Sequence, residues 1–178
     1  MKNLKVKVAR LSIASNTLLI IMKLTVGIIS GSVSILSEAI HSGMDLIAAV
    51  IAYVSVKLSD NPPDKGHPYG HGKIENISGV IEALLIFIAA ALIIIEAIKK
   101  LSGDGGKLEV IGIGAIVMLV SAVVNFLVSH KLYKVAKQTN SIALEADALH
   151  LKTDVYTSLG VAVGLALIYF TGITWLDP

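Results

Sequence analysis

Two histidine–aspartate pairs lie inside apolar stretches of this 178-residue sequence. His41 stands four residues before Asp45, and His150 stands four residues before Asp154. Residues four apart on an α-helix project from the same face, so each pair would present an imidazole and a carboxylate together. Ionisable groups within a membrane helix cost roughly 3 kcal/mol each on insertion scales, and they usually mark a site or a pathway. Two imidazoles and two carboxylates supply the four ligands of a tetrahedral zinc-like ion.

The same pairs have a second interpretation, in which each aspartate orients its own histidine and the pair only stabilises helix packing. Metal binding is favoured because the two pairs are equivalent. The nitrogen and oxygen ligands suit Zn²⁺, with Co²⁺, Cd²⁺ or Fe²⁺ as neighbours, better than Mg²⁺, Ca²⁺ or Mn²⁺. Glu38 and Asp147 stand three residues before each histidine. They could orient the ligands, form an entry path for ions, or face a water-filled vestibule.

A second cluster consists of Asp64, His67 and His71, within the segment 58–73 that holds three of the four prolines. Prolines and glycines at this density predict a loop. Three such ligands with an open position could bind a zinc-like ion; the alternative is a solvated loop with two ordinary histidines. The sequence contains no cysteine, so a strong metal site must use histidine, aspartate and glutamate.

The composition predicts an all-α, polytopic transmembrane helical bundle that occupies residues 1–178. Only 16% of the residues are charged, against about a quarter in soluble domains. Five apolar segments are each long enough to cross a hydrocarbon core of about 30 Å; they lie at about 9–30, 33–57, 74–99, 108–131 and 141–171. The net charge of +2 is too small to suggest nucleic acid as a partner. No nucleophile–base pair indicates an enzyme.

The lysines and arginines predict the orientation of the bundle. Ten of the fifteen lie on the side that carries the N-terminus and the loop, and three lie on the opposite side. Positive residues accumulate in the cytoplasm, so the N-terminus and the loop are expected there. Lys23 lies within the first apolar segment and is expected to extend towards the outer interface.

An internal repeat relates the two histidine–aspartate pairs. A shift of 109 residues superimposes identical residues without a gap, namely Asn16 on Asn125, Ser32 on Ser141, Ala39 on Ala148, His41 on His150 and Asp45 on Asp154. The helices that carry the pairs are the second and the fifth, so they run in opposite directions, and the site is expected near the bilayer midplane between them. The repeat also predicts a sixth helix from about residue 183, beyond Pro178.

Three motifs resemble those of the cation diffusion facilitators: HSGMD in the second segment, DKGHPYGHGKIE in the loop and EADALHLKTD in the fifth. The resemblance implies six transmembrane helices, a C-terminal cytoplasmic domain, a homodimer, and export of divalent metal in exchange for protons. It assigns the transport site to His41, Asp45, His150 and Asp154, and a loop site to Asp64, His67 and His71. A histidine at the first position is typical of zinc-type members. The sixth helix and the C-terminal domain are not within these 178 residues.

The sequence therefore predicts a Zn²⁺ exporter of the cell membrane that works by proton antiport and alternating access. Imidazole and carboxylate must lose their protons to bind metal, so metal and protons compete for the same groups. Transport of Fe²⁺, Co²⁺, Cd²⁺ or Mn²⁺ stays open. A membrane metal sensor that does not transport, and a proton-relay protein that uses the histidine–aspartate pairs without metal, also stay open.

Overall fold

The computed structural model describes residues 2–30, 33–99 and 111–171, which form five α-helices and, within these ranges, no β-strand. The helices are α1 (Lys2–Ser30), α2 (Val33–Ser59), α3 (Ile74–Lys99), α4 (Ile111–Thr139) and α5 (Ile142–Thr171). The predicted all-α bundle is confirmed. Residues 60–73 form the predicted loop, without helix or strand. The predicted start of the fourth helix at 108, and the connections at 31–32 and 100–107 between the predicted helices, lie outside the described residues.

Four helices, α1 to α4, are long and apolar enough to cross a membrane within the described part of the chain. In α5 the charged residues stand in the first half, and the sequence is uncharged from Val155 to Thr171. Its 30 residues extend about 45 Å at 1.5 Å per residue, which exceeds the thickness of the hydrocarbon core. That α5 also crosses the membrane stays a prediction.

Two helices are longer than the apolar segments that predicted them. The first begins at Lys2 rather than at about residue 9, and the fourth continues to Thr139 rather than to 131. In both extensions an apolar stripe packs into a buried cluster, although the sequence between the stripe residues is charged. The cluster includes Val8, Ala9, Leu132, Val135, Ala136, Ala143 and Leu144. Hydropathy detects the membrane-crossing part of a helix and misses such an amphipathic continuation.

A tight turn reverses the chain between α4 and α5. Asn140 adopts a left-handed conformation with φ of 50°, and the Ser141 N–H donates to the Ala136 carbonyl at 3.1 Å. This bond closes a Schellman-type cap on α4. The Ser141 hydroxyl accepts a bond from the Leu144 N–H at 3.4 Å and so caps the start of α5. The two helices therefore pack as an antiparallel hairpin.

One end of the bundle holds the start of α1, the end of α2, the start of α3, the end of α4 and the start of α5. We call it the loop end, because residues 60–73 lie there, and the opposite end the far end. A buried polar network stabilises the loop end. Lys5 Nζ lies 2.9 Å from Asp60 Oδ1 and 3.0 Å from Glu75 Oε1. Ser59 and Ser141 donate their hydroxyls to the same Glu75 carboxylate. The network joins four helices and was not predicted from the sequence.

The outer surface of the bundle is apolar, and α3 contributes much of it. Large side chains such as Leu84, Phe87 and Leu92 of this helix are exposed. An exposed apolar surface of this extent suits contact with lipid chains rather than water. On its inner face α3 approaches α5 closely at Gly79, where a Cβ atom would lie 3.1 Å from the Ile142 side chain. The inner face of α3 therefore forms a wall of the interior between α2 and α5.

Candidate metal centre

The structure brings the four predicted transport ligands together where α2 packs against α5. His150 Nε2 lies 3.2 Å from Asp45 Oδ1 and 4.0 Å from Asp154 Oδ2. Ligand atoms of His41, Asp45 and Asp154 all lie within 4.8 Å of one another. We call these four residues the quartet. Each half of the repeat contributes one imidazole and one carboxylate, which is the arrangement that the inverted repeat predicts.

The quartet lies beside a cavity of about 220 Å³, lined by His41, His150 and Asp154 together with residues of α3. The α3 wall is apolar, with Ile86, Ala89 and Ala90 among its side chains. Small apolar side chains leave room for a hydrated ion and offer no competing ligand. Among the described residues, polar side chains that could coordinate an ion therefore line this cavity from α2 and α5, and none lines it from α3.

Neighbouring side chains hold the quartet in place. Asn16 of α1 is buried and donates from Nδ2 to the Asp45 carbonyl at 3.4 Å. Asn16 thus forms the kind of interhelical bond that fixes helices in a membrane. In α5 the Asp154 Oδ2 atom is buried without a hydrogen-bond partner among the described residues, and so is His150 Nδ1. The quartet therefore retains coordinating capacity that protein hydrogen bonds do not use.

Lys23 does not extend to the outer interface as expected, and that prediction is wrong. Its side chain is 4% exposed. Its Nζ lies 3.0 Å from Glu38 Oε2 and 2.8 Å from Ser42 Oγ, one turn from His41 on the far-end side of the quartet. A buried ammonium is stable only with a charged partner, and Glu38 supplies it. The antiparallel α1–α2 hairpin could have suggested the pair, because Lys23 and Glu38 lie at similar distances from the connection at 31–32.

Glu82 of α3 is a second residue that the sequence interpretation did not single out. It is the single charged residue between 76 and 95. A lone carboxylate in the most apolar helix was the available signal, because such a residue is expensive unless it has a role. Glu82 is fully buried and interacts electrostatically with Asp147 of α5. Among the described residues, the Ser78 hydroxyl donates a hydrogen bond to Glu82 Oε1 at 3.2 Å.

The loop triad also assembles. His67 Nδ1 lies 3.3 Å from Asp64 Oδ1, and His71 Nε2 lies 3.4 Å from Asp64 Oδ2. The three residues offer ligand atoms within 4.8 Å of one another. Three ligands of this kind leave one position of a tetrahedral ion open to water. The loop is thus compatible with a zinc-like ion.

Backbone N–H groups fix the Asp64 carboxylate in this loop. Its Oδ1 atom accepts bonds from the Gly66 N–H at 2.9 Å and the His67 N–H at 2.7 Å. The His67 N–H is the largest favourable influence, and with the other bonds it lowers the pKa of Asp64 below its ordinary value, against a small effect of burial. The carboxylate therefore stays ionised and positioned before any metal arrives.

Comparison with known proteins agrees with this architecture. Residues 9–178 match the family described as the cation efflux transmembrane domain. An uncharacterized transporter of Synechocystis is 40% identical over 157 residues, which are 88% of this chain and 50% of that protein. An uncharacterized transporter of Methanocaldococcus jannaschii is 37% identical over 167 residues, 94% of this chain and 58% of that protein. The manganese efflux system protein MneP of Bacillus subtilis is 32% identical over 165 residues, 90% of this chain and 54% of that protein.

Apolar helices with polar ligands in their interior define a polytopic integral membrane protein. The chain belongs to the cation efflux family, the cation diffusion facilitators that the motifs resemble. It spans about half the length of the curated relatives it matches.

Proposed function

We propose that this chain is the transmembrane part of a divalent metal exporter that moves Zn²⁺ out of the cytoplasm in exchange for protons. The observation that carries the proposal is the contact between His150 and Asp45 across the two halves, with His41 and Asp154 alongside. Binding of one shared cation would explain why an imidazole and a carboxylate from each half lie close together on two antiparallel helices. Membership of the cation efflux family supports the same activity.

The ligand set favours Zn²⁺ as the substrate. Two imidazole nitrogens and two carboxylate oxygens are the donors that tetrahedral zinc accepts. Fe²⁺, Co²⁺ and Cd²⁺ accept similar donors. Mn²⁺ is the second candidate, because a relative at 32% identity is named a manganese efflux system protein. Histidine in the quartet argues for zinc over manganese, which prefers oxygen ligands in larger number. Flux measured for each ion in competition with Zn²⁺ decides between them.

The mechanism follows from competition at the quartet. Neutral imidazole and ionised carboxylate bind the metal, so loading releases protons and protonation releases metal. Rocking of one half of an inverted repeat against the other exposes the site to alternate sides of the membrane. Metal that loads from the cytoplasm is then displaced by protons outside. The loop triad supplies a further binding position near the cytoplasmic entrance.

The experiment is uptake of Zn²⁺ by proteoliposomes that contain the full chain and a zinc-sensitive dye. His150→Ala and Asp154→Ala should each reduce uptake to the level of empty liposomes, because the three ligands that remain in each variant hold the ion too weakly. His130→Ala is the matched control, since His130 is exposed on α4 and stacks on Phe126 away from the quartet. Unchanged uptake by the His150 variant would refute the transport site.

The experiment also separates the rival functions. A metal sensor binds Zn²⁺ in equilibrium dialysis without uptake, and a proton-relay protein acidifies the liposomes without binding metal. A pH-sensitive dye in the same liposomes should report protons moving against the zinc flux. Absence of proton movement during zinc uptake would exclude antiport.

The proposal includes a cytoplasmic N-terminus in the cell membrane and the homodimer that the family resemblance implies. The sequence has no cysteine, so Lys65→Cys introduces a single thiol in the exposed loop. A membrane-impermeant maleimide should label it in inverted vesicles and not in intact cells. Mass measurement of the protein in a lipid nanodisc reports whether it is a dimer.

A further inference from the structure

Two buried carboxylates lie outside the quartet without a positive partner. Glu82 of α3 and Asp147 of α5 are both 0% exposed, and they interact electrostatically with each other. Neither Asp147 oxygen has a hydrogen-bond partner among the described residues, and Glu82 Oε2 also has none. The Ser12 hydroxyl of α1 faces Asp147 without completing an ordinary hydrogen bond. Within the described ranges, no lysine or arginine forms an ion pair with either carboxylate.

The internal repeat shows how unusual this environment is. Asp147 is the repeat equivalent of Glu38, whose charge is neutralised by Lys23 and whose ion pair is supported by Ser42. A shift of 109 residues replaces Lys23 by Leu132 and Ser42 by Leu151. Both leucines are fully buried. The second half therefore repeats the carboxylate and omits the groups that neutralise it in the first half.

The position of the pair connects it with the quartet. Asp147 lies three residues before His150, and so one turn nearer the loop end on the same face of α5. Glu82 lies four residues before Ile86, which lines the quartet cavity, and so one turn nearer the loop end on α3. The two carboxylates thus stand between the quartet and the loop end of the bundle. An ion that travels between the loop end and the quartet passes this level.

We propose that Glu82 and Asp147 form a second divalent cation site, with oxygen ligands only, that holds the ion before it enters the quartet. Two carboxyl groups with three oxygen atoms free of hydrogen bonds lie in a region that water does not reach. Binding of a divalent cation displaces their protons, and the two carboxylates then neutralise the ion and coordinate it through the free oxygen atoms. Ser12 adds a neutral oxygen at the same place. Oxygen ligands favour a hard ion such as Mn²⁺ over the zinc-like ion that the quartet prefers.

This inference rests on the proposed function for its role in transport, but its binding test is independent of transport. The probe is Mn²⁺, counted by electron paramagnetic resonance in the purified full chain. The background removes both carboxylates of the quartet and both histidines of the loop triad, through Asp45→Asn, Asp154→Asn, His67→Ala and His71→Ala. This protein should bind one Mn²⁺, and adding Glu82→Gln should abolish that binding. No bound Mn²⁺ in the background protein, or binding that survives Glu82→Gln, overturns the site.

A second measurement avoids dependence on the folding of a multiple variant. Glu82→Gln alone, in the otherwise native chain, should lower the number of bound Mn²⁺ ions by one. A circular-dichroism melt confirms that the single variant is folded. An unchanged Mn²⁺ count in a folded Glu82→Gln protein overturns the proposal. Two protonated, neutral carboxyl groups would give that result.

The transport assay tests the role of the site. Glu82→Gln should raise the metal concentration that gives half-maximal flux by about 10-fold, in the range expected when a partner near a metal is lost. Maximal flux should stay close to that of the native chain, because the quartet is intact. Glu145→Gln is the control: Glu145 lies on α5 near Asp147 and pairs with Lys137 at the surface. Equal losses in both kinetic parameters would indicate general structural damage and count against a staging role.

The outcomes distinguish this site from the proposed function. If His150→Ala still transports metal, the quartet fails as the transport site, while Mn²⁺ binding at Glu82 and Asp147 can still be counted. If Glu82→Gln changes neither the Mn²⁺ count nor the concentration dependence, the second site fails and the quartet stands.

Discussion

The two halves of the repeat carry the same ligands in different surroundings. In the α1–α2 half, His41 and Asp45 have Glu38 one turn away, and its carboxylate pairs with Lys23. In the α4–α5 half, His150 and Asp154 have Asp147 one turn away, and the described residues offer it no basic partner. The repeat therefore preserves the histidine and the aspartate of each pair. Among the described residues, only the first half also provides a basic partner for the acidic residue one turn away.

This difference gives the quartet two unlike sides. Towards the far end, Lys23 and Glu38 form a neutral pair beside His41. Towards the loop end, the buried carboxyl groups of Asp147 and Glu82 have no basic partner among the described residues. If a cation displaces their protons, the two carboxylates attract it strongly, because the surroundings exclude water. The asymmetry supports the proposal that metal enters from the loop end.

The largest effect is expected from breaking the neutral pair of the first half. Lys23→Met leaves the Glu38 carboxylate partly buried without its counter-charge. Removing one partner of a buried ion pair costs about 3 to 5 kcal/mol, and the partial exposure of Glu38 argues for the lower end. The free energy of unfolding, measured by urea titration in detergent micelles without divalent metal, should fall by about 3 kcal/mol.

The double variant Lys23→Met, Glu38→Met supplies the control. It removes both charges and should recover most of the stability, because two apolar side chains can replace a buried ion pair at little cost. A double variant as unstable as Lys23→Met alone would show that the lost packing of Lys23, rather than the unpaired carboxylate, causes the effect. The contrast between the two halves would then lose its electrostatic basis.

A smaller effect of opposite sign is expected from the second half. Asp147→Asn removes one of two facing carboxylates and leaves the size of the side chain unchanged. Without divalent metal the variant should be more stable than the native chain by about 1 kcal/mol, since the unfavourable interaction between two buried acid groups is lost. With Mn²⁺ present the order should reverse, because the native chain gains the binding energy of the ion. Destabilisation in both conditions would contradict the proposed contrast.

The fold and the quartet were predictable because each depends on a local pattern that the sequence displays. Runs of apolar residues define the helices, and the identical spacing of His41–Asp45 and His150–Asp154 defines the two faces that must meet. The loop followed from its prolines and glycines. These patterns can be read in the sequence whatever the packing of the helices, so the predictions needed no knowledge of tertiary contacts.

The surroundings of the quartet were not predictable because they depend on contacts between distant residues. The partner of Lys23 is set by the packing of the α1–α2 hairpin. The burial of Glu82 is set by the close approach of α3 to α5, and the Glu75 network needs four helix ends together. A lysine within an apolar segment fits both an interfacial position and a buried pair. Packing decides between them, and here it selects the buried pair.

The smallest effect concerns the loop triad, which lies in the connection between α2 and α3. The pKa of Asp64 is lowered from its ordinary value of 3.8. Its ionised form therefore contributes at all pH values above that range, and the contribution is lost only when the pH falls through the lowered pKa. Between about pH 6 and 8, Asp64 should stay ionised and add no pH dependence of its own to zinc binding by the loop.

Asp64→Asn should accordingly weaken zinc binding to the loop by a similar factor at each pH in this window. The measurement is zinc affinity by calorimetry, in the background with Asp45→Asn and Asp154→Asn, at several pH values. A change in the pH midpoint after Asp64→Asn would show that the aspartate itself takes up the proton. Maximal flux in the native background should change little, because the proposed transport ligands all lie on α2 and α5 and the proposed loop site adds only a nearby binding position. A large loss of maximal flux would contradict this prediction and show that transport requires the loop as well as the two halves.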